Sequence, residues 1–128
     1  MKMNSLDHIA INVKDLNQSI DWYSKVLGLK KMKVESWGES PVFMVSEDKT
    51  GIAIFPSKHG NLHPMPLNRN TMRPHIAFKL TSYLDFIEMQ NHLKELSIKF
   101  EFQDHDISHS IYFRDPDDYC IEVTSYDM

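Results

Sequence analysis

The chain has 128 residues and a formal net charge of −4, from 14 basic and 18 acidic side chains. Its lysine and arginine residues form no large cluster. This length predicts one domain, residues 1–128, and this charge argues against nucleic-acid binding. The single cysteine excludes an intrachain disulfide, the N-terminus lacks the apolar core of a signal peptide, and no segment approaches the roughly 20 apolar residues of a membrane helix, so we expect a cytoplasmic protein without membrane contact.

The first half of the sequence predicts a strand, a helix and three further strands. Residues 6–13 alternate apolar with polar side chains, which indicates a half-buried strand. The helix that follows has Asp15 as its N-cap and Gly28 as its stop. Its apolar stripe consists of Leu16, Ile20, Tyr23 and Leu27. Three strand-like runs complete this half, at residues 32–37, 42–46 and 52–55.

The second half repeats this order of elements. His75-Ile-Ala echoes His8-Ile-Ala at the start of the first strand, and Ser82 is the expected N-cap of a second helix. The apolar stripe of that helix consists of Phe86, Met89, Leu93 and Leu96, and strands are predicted at 98–103, 110–114 and 120–125. The unit βαβββ therefore occurs twice, and the sequence predicts an α+β fold. Module 1 covers about 5–55 and module 2 about 75–125.

The segment between the modules, residues 56–74, holds four of the six prolines and is predicted to be an irregular linker. Segments of this length inside a compact domain are often functional. The linker carries polar side chains suited to substrate contact: His59, His63, Arg69 and Arg73.

The repeat also indicates a metal site. His8 and His75 occupy equivalent positions in the two halves, so a pseudo-twofold relation would direct both imidazoles into one space. Glu122 lies on the last strand, on the side opposite Ile121 and Val123. Two histidines and one carboxylate with open positions suit a divalent first-row metal: iron(II), manganese(II), nickel(II) or zinc(II). Taken singly, each residue is also compatible with a structural or solvated role.

Three segments carry a family pattern: His8-Ile-Ala-Ile-Asn-Val, His75-Ile-Ala-Phe, and Tyr112-Phe-Arg-Asp-Pro-Asp-Asp-Tyr-Cys-Ile-Glu122-Val. They resemble the vicinal oxygen chelate superfamily, which includes glyoxalase I, bleomycin-binding proteins, extradiol dioxygenases and fosfomycin-resistance thiol transferases. The resemblance implies that the paired modules form a cupped mixed sheet around a central metal cavity, with His8, His75 and Glu122 at the ligand positions. It also implies a small-molecule substrate and a homodimer.

The first-half counterpart of Glu122 separates the reactions of this superfamily. Alignment of the two halves places Ile54 there, and a register slip of one residue would place Ala53 or Phe55. None of these side chains can coordinate a metal, so the four-ligand site of glyoxalase I is disfavoured, together with the carboxylate base it would supply.

The three-ligand members that the chain resembles most are extradiol dioxygenases, which favours iron(II) as the cofactor. The resemblance then assigns proton transfer to His105 and Tyr112, although a solvated loop histidine and a cross-strand aromatic residue remain the alternative interpretations. A glyoxalase-like lyase, a fosfomycin-type thiol transferase and a metal-free drug-binding protein also remain open. Asp118 departs from the family pattern, because glycine commonly adopts a left-handed conformation there.

Overall fold

The computed structural model describes residues 1–57 and 74–128. The chain forms two compact units, Met1–Leu62 and His63–Met128. The described residues of each unit form one four-stranded sheet and one α-helix. The α+β class and the doubled βαβββ unit are therefore confirmed. The predicted substrate contacts of the linker lie outside the described residues: His59, His63, Arg69 and Arg73. Neither helix of the described part has the length and apolarity to cross a membrane.

Module 1 is a mixed sheet with strand order β1-β4-β3-β2, in which β1 and β4 run parallel. Its elements are β1 (His8–Val13), α1 (Leu16–Leu27), β2 (Lys30–Met32), a 3-10 helix (Glu35–Trp37), β3 (Val42–Val45) and β4 (Gly51–Pro56). The predicted caps of α1 are confirmed: the Asp15 carboxylate accepts a hydrogen bond from the Gln18 N–H at 3.0 Å, and Gly28 is left-handed with φ 67°.

Module 2 has the same topology, with strand order β5-β8-β7-β6 and β5 parallel to β8. Its elements are β5 (Ile76–Leu80), α2 (Tyr83–Glu95), β6 (Glu101–Asp104), β7 (His109–Arg114) and β8 (Cys120–Ser125). The predicted cap of α2 is confirmed, since the Ser82 hydroxyl accepts a hydrogen bond from the Asp85 N–H at 3.1 Å. Without a glycine at its end, α2 is closed by Ser97, a residue with φ 58°.

One predicted strand is wrong. The chain leaves the sheet after Met32, and Glu35–Trp37 form the 3-10 helix instead of continuing the strand. Met32 pairs with Phe43 in the antiparallel ladder, so a longer β2 would set Val34 opposite Pro41. Proline has no N–H to donate to the ladder, which explains why β2 ends early.

Each sheet presents one face to its own helix. In module 2, the ring of Phe86 on α2 lies 6.4 Å from His109 and 6.3 Å from Phe102 between centroids. Successive residues of a strand point to opposite faces, so Ser110 and Tyr112 lie on the face turned away from α2. We call it the open face of module 2, and the strand register adds Ala77, Glu122 and Thr124 to it.

Candidate functional site

The open face of module 2 brings two of the three predicted metal ligands together. His75 directly precedes β5, and its Nε2 lies 3.1 Å from Oε1 of Glu122 on β8. The side chain of Glu122 is only 12% exposed, whereas that of His75 is 34% exposed. A carboxylate this deeply buried needs charged or hydrogen-bonding partners. The imidazole therefore stabilises Glu122 from its solvent-accessible side.

The second carboxylate oxygen of Glu122, Oε2, is the acceptor at the end of a chain of hydroxyl hydrogen bonds. The Ser110 hydroxyl donates to Oε2 of Glu122 at 3.0 Å and also lies 2.9 Å from the Thr124 hydroxyl, which in turn donates to the His109 carbonyl at 3.2 Å. Ser110 has no exposed surface. Because one carboxylate oxygen is engaged by Ser110 and the other faces His75, the rotamer of Glu122 is fixed.

Tyr112 contacts both His75 and His105, and His105 is the residue predicted to transfer protons together with it. Its ring lies 5.9 Å from that of His75 in an edge-on arrangement, and its hydroxyl lies 3.0 Å from Nε2 of His105. Burial raises the pKa of Tyr112 to about 12, and the neighbouring Glu122 carboxylate adds to the rise. The phenol is therefore protonated at neutral pH and is available as a hydrogen-bond donor.

A tight turn between β6 and β7 places His105 over Tyr112. The His105 N–H donates to the Ser108 carbonyl at 2.9 Å, and the Asp106 N–H donates to the Asp104 carboxylate at 2.8 Å. Asp106 has φ 69°, a left-handed conformation that aspartate tolerates better than most residues. This turn brings the side chains of His105 and Tyr112, seven positions apart in the sequence, into hydrogen-bond contact.

The third predicted ligand, His8, belongs to module 1. Its Nδ1 lies 2.7 Å from the Asp7 carboxylate, and its ring lies 5.0 Å from that of Phe43, which is 5.4 Å from Trp37. A carboxylate on Nδ1 fixes the tautomer of an imidazole and leaves Nε2 free to accept a cation. Asp7 is a functional candidate that the sequence analysis missed; its position directly before a candidate ligand was the available signal.

The strand register corrects the predicted counterpart of Glu122 in module 1. Glu122 pairs with Ala77 across the parallel strands of module 2, and the equivalent pair in module 1 is Ala53 with Ala10. The assignment to Ile54 is therefore wrong by one position, because Ile54 pairs with Ile11. The chemical consequence is unchanged, since neither alanine nor isoleucine can coordinate a metal.

The donor chemistry of the site fits a divalent metal. Imidazole nitrogen and carboxylate oxygen, as in the His75–Glu122 pair, are suited to iron(II), manganese(II), nickel(II) and zinc(II). Within residues 1–57 and 74–128, no group of three or more His, Cys, Asp or Glu side chains lies close enough to hold a metal ion. The set of His8, His75 and Glu122 as common ligands therefore stays a prediction, as do the roles of His105 and Tyr112.

Comparison with known proteins identifies the family. The sequence profile of the Glyoxalase/Bleomycin resistance protein/Dioxygenase superfamily matches residues 5–123. The chain belongs to this superfamily. The resemblance found in the sequence is thus confirmed over nearly the whole chain. This superfamily includes enzymes, and its members bind small molecules and commonly use divalent metals.

Solved structures of other proteins share the fold at low sequence identity. A glyoxalase/bleomycin resistance protein/dioxygenase domain from Frankia sp. has a TM-score of 0.77 and 21% identity, over 97% of this chain and 93% of that one. The genomically encoded fosfomycin resistance protein FosX from Listeria monocytogenes has a TM-score of 0.71 and 21% identity, over 97% and 94%. A protein from the mobile metagenome of V. Pseudocholerae has a TM-score of 0.70 and 22% identity, over 100% and 98%.

Proposed function

We propose that this protein is a metal-dependent enzyme acting on a small substrate with vicinal oxygens, most like an extradiol ring-cleavage dioxygenase. One observation carries the proposal: the His105–Tyr112 hydrogen bond of 3.0 Å lies on the same sheet face as the His75–Glu122 pair at 3.1 Å. A candidate proton-transfer pair and two candidate metal ligands are thereby adjacent, which is the arrangement that acid–base chemistry on a chelated substrate requires.

The proposed metal ligands are His8, His75 and Glu122, with iron(II) favoured and manganese(II), nickel(II) or zinc(II) as alternatives. When bound, the metal would supply a Lewis acid that chelates the two substrate oxygens and leaves a position for dioxygen. The hydrogen bond from Ser110 supports this assignment, because it directs Oε1 of Glu122 toward His75. Asp7 supports it in module 1 by holding Nδ1 of His8.

The roles of the chain's own side chains follow from their contacts. Tyr112, protonated at neutral pH, would donate a hydrogen bond to a substrate oxygen placed over the open face. His105, within 3.0 Å of that hydroxyl, would accept a proton from the substrate and return it later in the reaction. The alanine at the module 1 counterpart of Glu122 supports a three-ligand site over the four-ligand glyoxalase arrangement.

Anaerobic purification followed by elemental analysis and an oxygen-uptake screen across catechols tests the proposal. We expect bound iron, oxygen consumption with at least one catechol, and loss of both in His8→Ala and Glu122→Ala. Unchanged metal content in these variants would contradict the ligand assignment. Turnover without oxygen uptake, on a hemithioacetal with nickel(II) or on fosfomycin with manganese(II) and a thiol, would instead assign a lyase or a thiol transferase. A metal-free protein whose ligand affinity ignores chelators would be a drug-binding protein.

The homodimer and the cytoplasmic location are further parts of the proposal. Light scattering of the metal-loaded protein tests the homodimer, and the expected result is a particle of twice the chain mass. A monomer at all concentrations tested would contradict it.

A further inference from the structure

A cleft opens beside Tyr112 on module 2. Its volume is about 390 Å³, within the range of roughly 300–1,000 Å³ typical of small-molecule sites. It is lined by Lys99, Phe100, Glu101, Tyr112, Phe113, Arg114 and Cys120. Because Tyr112 belongs both to this cleft and to the proposed catalytic group, a molecule whose reacting oxygens meet Tyr112 would extend part of its structure into the cleft.

The cleft has two cations at one end. Glu101 pairs with Tyr112, and Arg114 pairs with Cys120. Lys99 lies two residues before Glu101, ahead of β6, and Arg114 lies two residues after Tyr112 on the antiparallel strand β7, so both cations line the cleft beyond the Glu101–Tyr112 pair. The acidic lining residue, Glu101, lies one row further on, beside Tyr112, so the charge of the cleft is asymmetric.

The two cations are poised differently. Asp118 holds the guanidinium of Arg114 in place, because Nη1 donates to its carbonyl at 2.9 Å and Nε lies 3.9 Å from its exposed carboxylate. Neither of these contacts uses Nη2, which is a further donor of the fork. Among the described residues, Lys99 forms no ion pair. A fixed guanidinium beside a free ammonium is a suitable arrangement for binding an oxyanion. The formal charge of the chain is −4, so this cationic end is not a general property of its surface.

We infer that the Lys99–Arg114 end of the cleft binds an oxyanion group of the substrate, such as a carboxylate or a phosphonate, while the vicinal oxygens lie at the Tyr112–Glu122 end. The inference rests on the proposed function, which it deepens by naming the substrate class: vicinal dioxygen compounds that carry an acidic substituent. Lys99 is then a specificity-determining residue, since it contacts the part of the substrate that does not react.

Anaerobic calorimetry on the iron(II)-loaded protein tests the inference with two matched probes, 3,4-dihydroxybenzoate and 3,4-dihydroxybenzamide. The probes share the ring and the vicinal hydroxyls and differ in charge. We expect the acid to bind about tenfold more tightly, as one charge-assisted contact warrants, with a preference that falls as salt is added. Lys99→Gln should remove most of the preference. Lys94→Gln, which deletes an exposed lysine of α2 outside the cleft, should retain it.

The outcomes separate the inference from the proposed function. Equal affinities for acid and amide in the unaltered protein would overturn the cleft assignment and leave the proposed function intact, because both catechols would still bind the metal. An equal loss of preference in Lys94→Gln would also overturn it, since the effect would then come from net charge. If neither catechol binds, the proposed function fails. A titration of the metal-free protein with benzoate and with benzamide, monitored by the NMR shifts of residues around the cleft, then tests the oxyanion site alone.

Discussion

Glu122 and Ala53 occupy the same register position in their modules, each paired with an alanine of the neighbouring parallel strand, Ala77 and Ala10 respectively. The two modules therefore share a backbone plan and differ in chemistry at its central position. The carboxylate of Glu122 and the buried methyl group of Ala53 cannot play equivalent chemical roles. The carboxylate of Glu122 therefore has no chemical equivalent in the first module.

The same asymmetry extends to the neighbouring strand. Tyr112 pairs with Glu122, and its counterpart Phe43 pairs with Ala53. Both rings contact the histidine of their own module, with centroids 5.9 Å apart for His75–Tyr112 and 5.0 Å apart for His8–Phe43. Ring packing is thus common to the two modules, whereas the hydroxyl group is particular to the second.

Removal of that hydroxyl tests the catalytic assignment. Tyr112→Phe keeps the ring contact with His75 and loses the hydrogen bond to His105. We expect catechol turnover to fall by about 10²–10⁴-fold, the usual contribution of a positioned acid or base, with metal content unchanged. Steady-state oxygen uptake and elemental analysis measure the two quantities. Tyr126→Phe, at a 58% exposed tyrosine, is the control and should keep full turnover. Full turnover in Tyr112→Phe would refute the assignment.

Ser110 is predicted to position Glu122 for the metal. Ser110→Ala removes a fully buried hydroxyl and leaves Oε2 of Glu122 without its donor. We expect the free energy of unfolding to fall by about 1–2 kcal/mol and the metal affinity to fall by about tenfold or more. Urea unfolding and competition with a fluorescent chelator measure these effects. Thr124→Ser is the control: it keeps the hydroxyl that lies 2.9 Å from that of Ser110, and it should bind metal as the unaltered protein does. Equal metal affinity in Ser110→Ala would contradict the positioning role.

The fold was predictable wherever a local signal decided it. The caps Asp15, Gly28 and Ser82 mark helix ends through their own backbone conformation or side-chain bond, and the structure uses each of them as predicted. The left-handed conformation expected of Asp118 is also present, with φ 69°. The early end of β2 was not predictable from alternation alone, because it depends on the antiparallel pairing with β3, which would set Val34 opposite Pro41.

The site was predictable in its residue types but not in its contacts. The proton-transfer roles of His105 and Tyr112 came from a family pattern, whereas their hydrogen bond depends on a turn that places Asp106 in a left-handed conformation. Ser110 and Asp7 carried no recognisable motif, since their significance lies in which atom of a neighbouring ligand they hold. Such contacts require side-chain geometry, which strand periodicity does not supply.

Asp48 in the β3–β4 turn is predicted to make the stability of module 1 depend on acid pH. Hydrogen bonds from the Ser46 and Thr50 hydroxyls, at 2.6 and 2.7 Å, lower the pKa of the Asp48 carboxyl to about 2. A carboxyl whose pKa is lower in the folded state stabilises the fold above its unfolded pKa of about 3.9, and this contribution disappears as the pH falls through about 2.

Asp48→Asn should therefore lower the Tm at pH 5 to 7 and have progressively less effect between pH 4 and pH 2. Thermal unfolding monitored by circular dichroism measures the difference at each pH. Glu47→Gln removes an exposed charge of the same turn and should show no such dependence. A Tm difference between Asp48→Asn and the unaltered protein that is constant from pH 7 to pH 2 would be evidence against the carboxylate as its source.

Asp7 is predicted to orient His8 as a metal ligand. Its carboxylate lies 2.7 Å from Nδ1, so Asp7→Ala frees the imidazole to rotate and to change tautomer. We expect a loss of metal affinity of about 10–100-fold in Asp7→Ala and a smaller loss in Asp7→Asn, because the amide oxygen still accepts the Nδ1–H hydrogen bond. Chelator competition measures both variants, and Asp21→Ala, at an exposed position of α1, is the control for the loss of one negative charge. Equal losses in Asp7→Ala and Asp21→Ala would show that net charge, rather than the orientation of His8, governs metal binding.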